Sequence, residues 1–294
     1  MLTDRPAVTA RVLGPIARDL AAAPGTPRVS AAVAELLRPL PILDETGRRR
    51  DGFLSMERAL TVRVDGHELV TLMTLGAWPE MLVLGYLFNQ DLIASAGALE
   101  SITVDWDSGI AEVITRPGVA AIGARVAGRA VTSGCGQGSV LSALAIAPNW
   151  HARTLNDAST PLRHSALIAL LETMRAHQGM HHAAGSVHSC ALFRGAELLL
   201  AVEEVSRHNG IDTVCGWMLM HAVTGGDKTL FSTGRLTGEM VLKAAHSGVP
   251  IMVSRNGASA MGYDVAIRFG MTLIGRAANR RFLCYAGAER LIFD

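Results

Sequence analysis

The apolar and polar positions of this 294-residue chain change rhythm along its length. Residues 1 to about 48 show no sustained period and are rich in Ala, Pro and Arg. They predict an N-terminal extension over 1–50, expected to be flexible, with one short helix around Ala31–Arg38. From Gly52 onward strict alternation sets in. The stretch ALTVRVDGHELVTLMTL alternates about Asp65-Gly66, a pair that supplies the positive φ angles of a tight hairpin turn. SITVDWDSGIAEVITR repeats the pattern about Asp107-Ser108-Gly109. Between the two, Pro79 to Asn89 switches to helical spacing, with proline near the helix start, where a missing N–H does no harm. A β-rich domain over 51–140 follows from these elements.

Beyond Pro161 strands and helices alternate. Helical spacing over Leu162–His177 is followed by the apolar runs SVHSCALF and AELLLAVEEV, joined by a turn at Arg194-Gly195. Next come helix Asn209–Ala222, strand Thr229–Ser232, helix Gly238–Ser247, strand PIMVS, helix Ala258–Phe269, strand MTLIG and a last strand, FLCYAG. The order α-β-β-α-β-α-β-α-β-β over 141–294 predicts a largely parallel α/β sheet with helices on both faces.

Composition narrows the functional classes. With 27 basic and 26 acidic residues the formal charge is +1, so no global field draws the chain to nucleic acid or to an anionic membrane. Aromatic residues make up 5%, too few for a base-stacking platform. Mean hydropathy is +0.28, yet the most apolar stretch, Leu69–Phe88, is broken by Trp78-Pro79-Glu80. No uncharged run reaches the ~18–20 residues that span a bilayer. The first 25 residues carry Asp4, Arg5, Arg11, Arg18 and Asp19 and no apolar signal region. A soluble, cytoplasmic chain without membrane or nucleic-acid partners is expected.

Candidate chemistry collects where strands hand over to helices, the usual ligand edge of an open α/β sheet. Three successive junctions look alike. SRHNGID offers Ser206, Arg207, His208, Asn209 and Asp212; STGRLTGE offers Ser232, Gly234, Arg235, Thr237 and Glu239; SRNGAS offers Ser254, Arg255, Asn256, Gly257 and Ser259. Free N–H groups at a helix start favour an anion, and arginine adds a planar fork suited to phosphate. Helix capping alone also explains Ser, Thr and Asn at such places. The carboxylates Glu203, Glu204, Asp212 and Glu239 fit either a ribose hydroxyl and a guanine N–H edge, or pairing with the nearby arginines.

His181, His182 and His188 stand near Cys190, but their spacing matches no standard metal site, and no H-x-E or P-C-x-x-C is present. No metal is expected. His188, at a strand start, and His208, at a junction, are better placed to hydrogen-bond or handle protons. Of the cysteines at 135, 190, 215 and 284, the last three fit buried small hydrophobes. Cys135 does not: in VTSGCGQGS it lies between Gly134 and Gly136, after Arg125 and Arg129. Such a thiol is reachable and its thiolate favoured. The alternative is an incidental cysteine in a glycine-rich linker.

Several segments resemble the formate dehydrogenase accessory sulfurtransferases, the FdhD family. GYLFNQDLI, AGSVHSCALF, EEVSRHNGIDTVCG, STGRLTGEMVLKAAHSGVPIMVSR and GMTLIGRAANRRFLCYAGAERL are similar to family blocks in the same order, from about Glu57 to Leu291. The resemblance implies a three-layer α/β/α, cytidine-deaminase-like C-terminal domain that lacks the deaminase zinc, beside a smaller β-rich N-terminal domain. It implies a carrier that takes persulfide sulfur from a cysteine desulfurase through Cys135. The sulfur would pass to a molybdenum cofactor, bis-molybdopterin guanine dinucleotide, for an apo formate dehydrogenase. Guanosine diphosphate is the implied ligand analogue and a homodimer the implied assembly. The implied cofactor contacts are His188, Arg207, His208, Asn209, Asp212, Ser232, Gly234, Arg235, Ser254, Arg255 and Asn256. One departure stands out. The family loop is typically C-G-x-C-G, whereas Gly138 takes the place of the second cysteine here. Without sulfur transfer, the same resemblance leaves a cofactor-binding chaperone.

Overall fold

The computed structural model describes residues 16–118, 131–132, 155, 160–177 and 179–294. Its first part contains β1 (Ile16–Ala17), β2 (Arg28–Val29), β3 (Leu37–Leu43), β4 (Arg49–Ser55), β5 (Arg58–Val64), β6 (His67–Thr74), α1 (Pro79–Asn89), β7 (Leu99–Asp105), β8 (Ile110–Thr115) and β9 (Val131–Thr132). Then come β10 (Leu162–Arg163), α2 (His164–His177), α3 (Gly179–Ala184), β11 (His188–Arg194), β12 (Glu197–Glu204) and α4 (Arg207–Met220). The chain continues through β13 (Thr229–Ser232), α5 (Gly238–His246), β14 (Ile251–Ser254), α6 (Ala260–Phe269), β15 (Thr272–Ala278), β16 (Arg281–Ala286) and β17 (Leu291–Ile292).

Alternation builds the first sheet. Every second side chain is buried from Leu60 in β5 and from Val70 in β6, and the hairpin turns on Asp65 and Gly66 at φ 49° and 80°, as the sequence requires. Six strands in the order β2-β7-β8-β5-β6-β9 make a mixed sheet, with β9 parallel to β6 and Thr132 opposite Thr71. The expected helix at Ala31–Arg38 does not form. Ala31 takes a left-handed φ of 55°, and Pro39 and Pro41 hold the following residues extended as β3, hydrogen-bonded to β4. Residues 16–50 are therefore tied into the fold more than an extension would be: β1 pairs with β12 and β2 with β7.

The second sheet has seven strands in the order β1-β12-β11-β13-β14-β15-β16. The expected element order is present, but the sheet is more mixed than the sequence suggests. The β11–β12 hairpin inserts β11 antiparallel between β12 and β13, leaving β13–β14 and β14–β15 as its parallel neighbours. The apolar runs are buried on both faces. Leu230, Met252 and Leu273 join the core beneath α4, α5 and α6, whereas their neighbours Phe231, Val253 and Ile274 pack with Leu167, Leu170 and Leu171 of α2. The molecule is a mixed α/β protein.

Two helices without a polar face form the seam between the sheets. α1 packs on the first core and crosses α4, whose residues from Asn209 to Met218 are all buried. At the crossing a Cβ on Gly85 would stand 1.8 Å from the Asp212 carbonyl oxygen, and one on Gly216 would stand 1.9 Å from that of Met81. Only two glycines let the backbones approach this closely.

Candidate functional site

Strands β12, β13, β14 and β15 all run toward one edge of the seven-stranded sheet, and antiparallel β11 starts there. Cross-strand pairing lines up His188 with Glu204, Cys190 with Ser232, and Ser232 with Ser254. The three polar junctions read from the sequence therefore stand side by side on one rim.

Two of the junctions are built alike. Ser232 Oγ accepts from the Gly234 N–H at 3.0 Å, and Ser254 Oγ accepts from the Asn256 N–H at 3.0 Å while donating to the Gly234 carbonyl at 2.6 Å. Asn256 Nδ2 donates to the Thr233 carbonyl at 2.7 Å, and a short parallel bridge joins Leu236 to Ala258. Ser232, Ser254 and Asn256 thus hold the loops together, and Arg235 and Arg255 are left exposed on the outside. Gly234 has a reason of its own. A Cβ there would lie 2.6 Å from Cδ of Arg207, so its absence lets the Arg207 stem cross the loop.

The third junction opens α4. Ser206 caps it, accepting from the His208 N–H at 3.3 Å. Arg207 lies half-buried at the first turn, with its Nε shielded and without a hydrogen-bond partner among the described residues. His208 is pushed down to about 3, first by burial and then by Lys243, Arg207 and His188, so the ring is neutral. Its Nδ1 lies 3.6 Å from Glu239 Oε2. His188 is also lowered, by burial first and then by Arg207 and His181, and its Nδ1 is 3.3 Å from Thr233 Oγ1.

Other expected ligand contacts face elsewhere. Asp212 is 2% exposed and bonds Asn89 Nδ2 and Lys243 Nζ, each at 2.7 Å. It belongs to the seam and not to the rim. Asn209 donates from Nδ2 to the Met73 carbonyl at 2.8 Å, tying α4 to the end of β6. Among the described residues neither Glu203 nor Glu204 pairs with an arginine. Glu203 accepts from the Met180 and His181 N–H groups at the start of α3. Glu204, fully buried, accepts from Thr74 Oγ1, from the Leu75 N–H at 3.1 Å and from the Val205 N–H at 3.0 Å. These two acids are joints, which their sequence pattern alone did not separate from ligand contacts.

Burial raises the thiols of Cys190 and Cys215 to about 12 and about 11, and it raises the half-buried Cys284 as well. Cys135 and Gly138 lie outside the described residues. Among the described residues no group of three or more His, Cys, Asp or Glu side chains is arranged to hold a metal ion.

Two sheets joined at a seam, with an arginine-lined rim on the second, define a class that comparison with known proteins names. Residues 55–292 match the FdhD/NarQ family, and the chain belongs to that family. It is 30% identical over 241 residues to the sulfur carrier protein FdhD of Bacillus licheniformis, covering 82% of this chain and 90% of that one. With the sulfur carrier protein FdhD of Geobacillus kaustophilus it is 27% identical over 239 residues, 81% and 90% of the two chains. In shape it is similar to a crystal structure of a protein assigned as a formate dehydrogenase accessory protein from Desulfotalea psychrophila. The TM-score is 0.69 at 23% identity, covering 88% of this chain and 100% of that one.

Proposed function

We propose that the protein is a sulfur carrier that works through Cys135 and serves a formate dehydrogenase. The observation that carries this reading is the state of the other thiols. Cys190, Cys215 and Cys284 are all raised by burial and hold their protons at neutral pH. Of four cysteines, only Cys135 has a sequence setting that favours thiolate. Strand β9 gives further support. It runs parallel to β6 and ends at Thr132, and β6 itself ends at Thr74, which with the next residue, Leu75, is hydrogen-bonded to Glu204 opposite His188. Cys135 follows Thr132 by three residues, a tether of about 10 Å at full stretch.

In this reading the Cys135 thiolate attacks the terminal sulfur of a cysteine desulfurase persulfide. The donor S–S bond breaks, its electron pair leaves with the donor cysteine, and Cys135 carries the persulfide. The neutral ring of His188, at the same edge, is one group suited to take the thiol proton. The sulfur acceptor is a molybdenum-bearing bis-guanine dinucleotide, the cargo of the reaction. Its phosphates suit Arg207, Arg235 and Arg255, and its guanine suits the polar loops about Thr233 and Asn256. A cytidine-deaminase-like layering without zinc, a cytoplasmic setting and a homodimer belong to the same reading.

Gly138 in place of a second cysteine keeps one other reading open: a chaperone that binds the cofactor and hands it over without moving sulfur. Mass spectrometry of the full chain after incubation with a cysteine desulfurase and cysteine decides between them. The carrier gains one sulfur, ~32 Da, on the Cys135 peptide, and the gain is absent in C135A. No gain at Cys135, or full maturation of a formate dehydrogenase by C135A, ends the carrier reading.

A further inference from the structure

The structure assigns Arg276 as a fourth anion-gripping residue of the rim, held there at the expense of backbone comfort. The inference rests on the cofactor reading above and names a residue of the same site. Three of the strands that run to this edge are followed by an arginine: Arg207 after β12, Arg235 after β13 and Arg255 after β14. Arg276, near the end of β15, completes the row. Its N–H donates to the Asn256 carbonyl at 2.9 Å, so it stands beside the β14 junction.

The backbone at this point is unusual. Between the pairs Gly275–Leu283 and Ala278–Arg281, β15 has one residue more than β16, which makes a bulge. Arg276 sits in it at φ 51°. Five other non-glycine residues among those described have positive φ, and place accounts for four of them. Asp65 and Asn279 make two-residue hairpin turns, and Asp91 and Ala222 follow the ends of α1 and α4. Ala31 lies in the coil between β2 and β3. Arg276 alone of the six is inside a strand. A left-handed bulge position favours glycine, the residue with no Cβ to strain.

The bulge has a clear geometric effect. It returns Ala277 to the core against α2, fully buried, and leaves Arg276 exposed. Ala277, Ala278 and Asn279 then line a cleft on the α2 side with Phe231, Arg175 and Arg255, while Arg276 stays outside it, on the side of the Asn256 carbonyl. No acidic side chain among the described residues pairs with Arg276. An exposed guanidinium on a strained backbone, at the end of the strand next to the β14 junction, fits a phosphate-bearing ligand better than a packing role.

Titration calorimetry with guanosine diphosphate, alongside thermal unfolding, tests this on full-length R276G and R276A. Both variants lose the guanidinium, and both are expected to bind about tenfold or more weakly than wild type, the usual loss for a charge-assisted phosphate contact. Only R276G removes the strain, so it should melt at or above the wild-type temperature and above R276A, which keeps the Cβ and stays near wild type. Wild-type binding with R276G within about twofold of it overturns the inference and leaves the cofactor reading intact. So does an R276G chain that melts several degrees lower, since Arg276 is then structural. A wild-type chain that does not bind guanosine diphosphate sinks the cofactor reading, and this inference with it.

Discussion

Glu204 shows how much a single side chain can hide in a sequence. EEVSRHNG gives two adjacent acids before a helix, and nothing in the pattern says which way either points. In the fold Glu204 is a buried joint between the sheets. Burial raises its carboxyl to about 7, although Thr74, Leu75, Val205 and Asn209 all donate toward it. A raised carboxyl binds its proton more tightly folded than unfolded. Its contribution is therefore complete below about pH 4.5 and declines as pH rises to about 7. His208, held down to about 3, acts in the opposite sense, losing stability as pH falls below its ordinary value of 6.5. The difference in melting temperature between wild type and E204Q should isolate the carboxyl: it falls from pH 5 to 7 and is flat above. A flat difference throughout would show that Glu204 does not titrate in this range. Cys135 is the contrary case: the glycines on both sides mark it in the sequence itself, and it lies outside the described residues.

Most helices and strands were legible because their periods are strong, and the ends of α2, α4, α5 and α6 fall within about two residues of expectation. The failure at Ala31–Arg38 has a local cause, since Pro39 and Pro41 lie just beyond the apolar spacing that suggested a helix. What no period reveals is which helices touch. Gly85 lies in GYLFNQDLI and Gly216 in TVCGWML, 131 positions apart, yet they meet backbone to backbone. Alanine in a helix interior normally stabilises relative to glycine, by up to about 1 kcal/mol. G216A should do the reverse. Its Cβ would meet a backbone carbonyl at 1.9 Å that cannot rotate away. Destabilisation of about 3 kcal/mol or more is expected, several degrees in Tm. A neutral or stabilising G216A in a denaturant titration would mean that the crossing is looser than described.

Across the whole molecule, α/β alternation made the class of the second sheet legible, but not its strand order. The hairpin β11–β12 can place β13 beside either of its strands, and burial on both faces is satisfied either way. The rim was partly legible for the same reason. Junction loops announce themselves by composition, whereas Arg276 is hidden within a strand and becomes visible only through its backbone angle. The short strand β1 had no signal of its own, and it carries a consequence for handling the protein. It covers the outer edge of β12, pairing Ile16 with Ala201 and Ala17 with Leu200, and the Arg18 N–H donates to the Leu199 carbonyl at 2.9 Å. Without it, a row of N–H and C=O groups flanked by Leu198, Leu199, Leu200 and Val202 opens to solvent, a template onto which another chain can add a strand. Deleting residues 1–19 should produce concentration-dependent self-association beyond that of the full chain in light scattering. An unchanged scattering profile would show that the edge is protected in some other way. Seventeen positions into the chain, a two-residue strand acts as a guard against aggregation.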